Sequence, residues 1–124
     1  MRTALKNFVI QVLRRATFKW PPKYKAFDKV KVKFSETSTG KDIFRYKCAA
    51  CSELFMKKDV VADHIEPVVP VSGWSNGSEF DFNEYVERLF CDQDGFQILC
   101  GPCHDKKTKQ ENSFRIKKPR KKKQ

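Results

Sequence analysis

Five cysteines and two histidines hold most of this chain's capacity for chemistry. Four of the cysteines form two pairs, Cys48-Ala49-Ala50-Cys51 and Cys100-Gly101-Pro102-Cys103. Two C-x-x-C knuckles far apart in sequence suit a tetrahedral site in which four thiolates hold a structural Zn2+. Each knuckle turns tightly enough to aim two sulfurs at one point, and the small residues between the cysteines permit that turn. Disulfide pairing is the competing reading. It is disfavoured because the apolar stretch of residues 8–13 is too short for a secretory signal, is interrupted by Gln11, and runs into Arg14-Arg15 instead of a cleavage site. A reducing compartment, and so a cytoplasmic location, is expected. Cys91 follows Leu89-Phe90 and is expected as a buried, inert thiol.

The second constellation is Asp63-His64 together with His104. Asp63-His64 closes a β-branched run, and His104 follows the second knuckle directly. Taken singly, each has a bland reading as a structural residue. They are more specific together, because these are the only two histidines in the chain. Two strands joined through a loop and followed by a helix would bring Asp63, His64 and His104 into one cleft. An oxygen of Asp63 and a nitrogen of His104 would hold a divalent ion, with positions open to a phosphate oxygen and the leaving oxygen. His64 would face the phosphate from the other side and take a proton from water, a role suited to a group that titrates near neutrality.

The elements that must position these residues follow from periodicity. Residues 4–16 place Leu5, Phe8, Val9, Val12, Leu13 and Ala16 on one helical face, with Lys6, Arg14 and Arg15 opposite. Such a basic amphipathic helix is expected to pack against the zinc module or to lie on DNA; a transit peptide is the other reading. Trp20-Pro21-Pro22 ends it and opens a second helix. Residues 22–34 carry conflicting signals, since Phe27, Val30 and Phe34 fit a helix while Val30 to Phe34 alternates as a strand does; helix through about 32 is expected. Residues 35–42 read as a loop. Strands are expected at 43–47, 59–65 and 96–100, and helices at about 82–90, opened by Asp81 with Glu84, and from 101 to about 111.

The charge balance points to a polyanionic partner. Lysine and arginine number 26 against 15 acids, a net charge of +11. Residues 115–124 carry seven of the basic side chains and no acid, so the remainder balances 19 bases against 15 acids. This low-complexity run is expected to be disordered. It reads as a solubilising or localising tag, or as an arm that binds phosphates, and the second suits the other features. Lys106 and Lys107 beside His104, with Arg120 and Lys121 in the tail, are the candidate phosphate contacts. No run approaches the roughly 18 apolar residues of a membrane span, so no membrane partner is expected. Aromatic residues at 13% are enough to support a small core, which a metal staple would reinforce.

From about Trp20 to Thr108 the chain resembles the HNH endonucleases, in particular small phage-encoded members with a four-cysteine zinc site. The likeness lies in an ordered series: Cys48 to Cys51, Asp63-His64-Ile65-Glu66-Pro67-Val68, Arg88-Leu89-Phe90, Gln97-Ile98-Leu99-Cys100-Gly101-Pro102-Cys103-His104, and Lys107-Thr108. The resemblance implies an α+β chain built on a zinc-stapled ββα-metal fold, with N-terminal helices in front and the basic tail behind. It implies His64 as general base, Asp63 and His104 as ligands of a catalytic Mg2+ or Mn2+, and hydrolysis of phosphodiester bonds in DNA. The chain would then divide into a helical extension (1–34), a nuclease core (35–114) and a tail (115–124). One position departs from the family pattern, with Gly95 at the place of the middle Asn. That Asn steadies the loop that orients the base, so either Asp94 substitutes for it or backbone bonds alone hold the loop. Two other classes stay open: a zinc module that binds DNA without cutting it, and an assembly cofactor of a phage packaging motor, with terminase or other packaging proteins as partners. A phage-encoded member would act in the cytoplasm of the bacterial host.

Overall fold

A computed structural model describes residues 2–115; the basic run beyond, with Arg120 and Lys121, lies outside the described residues. The fold is α+β, with four helices and two small sheets among those residues. Helix α1 spans Thr3–Ala16 and leads through a 3-10 turn to α2, Pro21–Val30, whose first turn accommodates two prolines because its N–H groups need no helical partner. Strands β1 (Lys31–Glu36), β2 (Asp42–Lys47) and β3 (Leu54–Phe55) form one antiparallel sheet in that order. Strand β4 (Val60–His64) pairs with β5 (Phe96–Cys100) in a second, also antiparallel. Helix α3 (Phe82–Leu89) lies in the connection, and α4 (Gly101–Phe114) follows β5 directly.

Two expectations are corrected. The second helix stops at Val30, not near 32, and residues 31–36 are a strand. The alternation wins there because β2 offers a continuous ladder, from Lys31 opposite Tyr46 to Glu36 opposite Asp42. Residue 34, the expected end of the helical extension, falls inside this strand. The other correction concerns the packing of α1 against the zinc module, one of its two expected placements. Leu5, Phe8 and Val12 stay exposed, Phe8 at 64%, and no residue of the helix is fully buried. Instead of meeting the zinc module, α1 reaches towards α3: Arg14 Nε donates to the Tyr85 hydroxyl at 3.4 Å, and the Lys6 ammonium lies 5.4 Å from the Phe80 ring centre.

Strand β5 is the centre of the molecule because both of its faces are covered. Phe96 and Ile98 pack with Ala26 of α2, Tyr46 of β2 and Val60 of β4. Leu99 and Cys100 pack with Cys48 and, on α4, Cys103. The start of α3 is fastened by Asp81, whose side chain accepts from the Glu84 amide at 3.2 Å, the capping contact that its spacing predicts. Helix α4 differs from the others. It buries no residue fully, so its position depends on Cys103 and on polar ties, not on an apolar face. Arg115 at its end, the first residue of the basic run, donates to the Val69 carbonyl at 2.7 Å.

Candidate metal centre and acid-base site

The two knuckles meet where β2 and β5 end. Cys48 lies just past β2, Cys100 ends β5 and Cys103 sits in the first turn of α4. The four Sγ atoms of Cys48, Cys51, Cys100 and Cys103 lie within 4.8 Å of one another. Cys51 and Cys100 are 4.0 Å apart, near the about 3.8 Å that a tetrahedron of 2.3 Å zinc–sulfur bonds requires. All five cysteines are free thiols. The first knuckle closes on itself: Ser52 N–H donates to the Cys48 carbonyl at 2.9 Å, and Ser52 takes the left-handed conformation, φ 63°, that a reversal this tight needs.

Electrostatics in the cluster favour a bound cation. Burial pushes the Cys48 thiol up, but backbone N–H groups of Cys51, Cys100 and Ala50 aimed at its sulfur bring it down to about 6. Cys103 is pushed up to about 12, first by Cys100, then by burial and by the remaining cysteine sulfurs. Four sulfurs this close resist simultaneous ionisation, and a divalent ion removes that conflict. The donor set is therefore one for zinc or a similar thiophilic ion.

Towards the other end of β5 from this centre, β4 ends in Asp63-His64, opposite Gln97 and Phe96. Asp63 points to α4, where its Oδ1 lies 3.5 Å from His104 Nε2. Its Oδ2 accepts from Gln97 Nε2 at 3.2 Å and pairs with the Lys107 ammonium at 2.9 Å. Lys107 also donates to the His64 carbonyl at 2.9 Å and to Glu111 Oε1 at 2.7 Å. Burial lowers the Lys107 pKa, but its bonds to Glu111 and Asp63 outweigh that and raise it, so the ammonium stays charged. The expected phosphate contact at Lys107 is thus turned inward, while Lys106 lies on the exposed side of the same turn.

The ring of His64 faces away from Asp63, as strand alternation requires. Its Nε2 lies 2.9 Å from the Leu89 carbonyl at the end of α3, and its ring centre 4.7 Å from that of Phe96. A carbonyl only accepts, so Nε2 carries the proton and the lone pair is on Nδ1. Burial lowers the His64 pKa from 6.5, only partly offset by the Leu89 carbonyl and Asp63, and Lys23 and Lys107 push the same way. The imidazole is therefore neutral at pH 7. Asp63 and His64 both line a cavity of about 230 Å³ with Thr108, Glu111 and Arg14.

The loop beside the imidazole is held by backbone. Gly95 accepts from Ile65 N–H and donates to the Asp92 carbonyl, each at 2.9 Å. Asp94 does not substitute for an asparagine; it pairs with Lys29 on the surface at 3.3 Å. A Cβ at position 95 would come within 2.6 Å of the Cys91 sulfur, so glycine is what this packing admits. Cys91 is half-buried, and burial raises its pKa, in keeping with an unreactive thiol. Sequence reasoning missed the Leu89 carbonyl and Glu111. The first carries no side-chain signal, and the second was legible only as a partner four residues after Lys107. No family model, curated protein or solved structure matches this chain.

Proposed function

We propose that this chain is a metal-dependent endonuclease of the HNH type that hydrolyses phosphodiester bonds in DNA, with β4, β5 and α4 as its ββα-metal unit. The observation that supports this best is the approach of Asp63 Oδ1 and His104 Nε2 to 3.5 Å, one strand position from a neutral, oriented His64. An oxygen and a nitrogen donor from different elements face each other there, two of the ligands a divalent cation takes, and Glu111, whose Oε2 is buried without a hydrogen-bond partner, lies on the same helix as His104. Mg2+ or Mn2+ held by Asp63 and His104 would supply positive charge against the charge that builds on the phosphate oxygens. His64, held by the Leu89 carbonyl, accepts a proton from the attacking water at Nδ1. Gln97 keeps the Asp63 carboxylate directed at His104. Held by the four cysteines, a zinc ion would fix the first turn of α4 and with it His104. The basic side chains, Lys106 and the tail's Arg120 and Lys121 among them, draw in the DNA backbone.

One observation favours a second reading. The Lys107 ammonium already neutralises Asp63 and Glu111, as suits a zinc module that binds DNA or assists a phage packaging motor and its terminase without cutting. Supercoiled plasmid incubated with Mg2+, Mn2+ or no added ion separates the two. The nuclease nicks only with the ion. His64→Ala slows nicking by roughly 10²- to 10⁴-fold, the usual worth of a positioned base, and keeps its zinc. Asp63→Ala and His104→Ala lose nicking together with Mn2+ affinity. A folded wild-type protein that nicks with neither ion, or a His64→Ala variant that cuts at the wild-type rate, sinks the nuclease reading.

A further inference from the structure

The ribbon of β1 and β2 lies apart from the acid-base site and carries features that the nuclease reading does not use. Every residue of β1 is exposed, and the strand is an edge. The register slips between Lys33 and Ser35, so Phe34 is the extra residue of a bulge. Bulges re-aim side chains, and this one presents a phenylalanine that remains 57% exposed. The Arg45 guanidinium lies over it, 4.8 Å from the ring centre. On the opposite face the Lys31 ammonium lies 4.2 Å from the centre of the exposed Phe44 ring. Lys41 and Lys47 add charge along the ribbon. The two acids of the ribbon, Glu36 and Asp42, are both engaged by Lys33, at 2.5 and 3.2 Å, so the net charge left facing solvent is positive.

We propose that this ribbon binds single-stranded nucleic acid, with the Phe34–Arg45 stack as a platform for a base and Lys41 and Lys47, which alternate onto the face of Arg45, along the phosphates. Alternating cations and exposed rings match a chain that offers both charge and π-faces, whereas bases in a duplex keep their faces stacked away. Addition of a protein strand to the β1 edge is the rival use. The bulge and the edge lysines oppose it, since both devices block strand pairing. The proposal stands independently of the nuclease reading.

The test is fluorescence anisotropy of the full chain with a labelled mixed-sequence DNA single strand, without added divalent ion, across a salt series. The same sequence as duplex DNA and as RNA provides the other arms. Wild type binds the single strand in preference to the duplex. Phe34→Ala weakens single-strand binding by roughly 5- to 100-fold, with duplex binding little changed. Arg45→Ala does likewise, and Lys47→Ala lowers the salt slope by about 0.7, one phosphate contact on a single strand. Lys33→Ala removes a positive charge and frees Glu36 and Asp42 of the ribbon, so it too weakens single-strand binding. Zinc content and circular dichroism confirm that each variant is folded. Folded Phe34→Ala and Arg45→Ala proteins that bind the single strand as wild type does overturn the proposal, as does an effect confined to the duplex. Plasmid nicking is scored separately, so a failure of the nuclease reading leaves this result intact.

Discussion

At the scale of single residues, the most informative position is Gly95. A loop that must steady a histidine ordinarily calls for a hydrogen-bonding side chain, yet here the backbone of residue 95 carries the bond to Ile65, next to His64. The Cys91 sulfur takes the space a side chain would fill, and the Cys91 carbonyl is itself held by the Trp20 indole N–H at 2.6 Å. Glycine and cysteine thus form a matched pair. Gly95→Asn is expected to destabilise the protein by about 1–3 kcal/mol, the cost of overpacking a tight site, and, on the proposed nuclease reading, to slow nicking by disturbing the loop. Cys91→Ala combined with Gly95→Asn should recover part of the loss, because contacting residues do not contribute additively. Thermal denaturation of the two single variants and the double variant measures this coupling. Strict additivity would mean that the contact does not constrain the loop.

Among the elements, α4 is the one whose placement would depend most on a metal held by the four cysteines. It has no buried apolar stripe, yet its first turn carries both Cys103 and His104. Replacing Cys48, Cys51, Cys100 or Cys103 by Ser should unfold the domain or destabilise it severely. Structural zinc contributes on the order of 10 kcal/mol, comparable with the whole stability of a small domain. Elemental analysis should find about one zinc per chain, as a single four-ligand site requires, and Cys91→Ser should retain it. On the proposed nuclease reading, if chelation leaves any folded protein, Mn2+ affinity should vanish with the zinc, because His104 loses its anchor. A metal-free chain that folds as wild type would overturn this account. The same element explains what was legible beforehand. The knuckles, the Asp63-His64 run and the Asp81 cap are local patterns set by near neighbours in sequence, and these are the residues that the fold brings together in the cysteine cluster and the Asp63–His104 approach. Strand β1 and the exposed face of α1 were misread because both depend on distant partners. Residues 31–36 become a strand only when β2 lies alongside, and α1 turns Val9 and Leu13 inward but leaves Phe8 and Val12 out, a choice made by α3 and its neighbours.

For the whole molecule, the dominant quantity is charge. Of the seven basic side chains from residue 115 onward, Arg115 is spent on the fold: it donates to the Val69 carbonyl and, at 3.2 Å, to Asn112 Oδ1. The remaining six follow it, and without them the chain balances 20 bases against 15 acids. A truncation should therefore begin after Arg115, so that the connection between α4 and residues 67–69 is kept. Removal of residues 116–124 is expected to leave thermal stability and zinc content unchanged while weakening duplex DNA binding. Each phosphate contact contributes about 0.9 to the slope of log K against log salt, so engagement of half of the six charges would flatten that slope by roughly 2.7. Because this term carries no sequence information, the loss should be equal across DNA sequences and should grow as salt is lowered. Titrations of the full and truncated chains between about 50 and 200 mM salt supply both slopes. A lower affinity with an unchanged slope would show that the tail acts by something other than phosphate contacts. An unchanged affinity would assign the tail to localisation or solubility and leave DNA attraction to the folded body, whose own excess of five positive charges is the smaller source of steering.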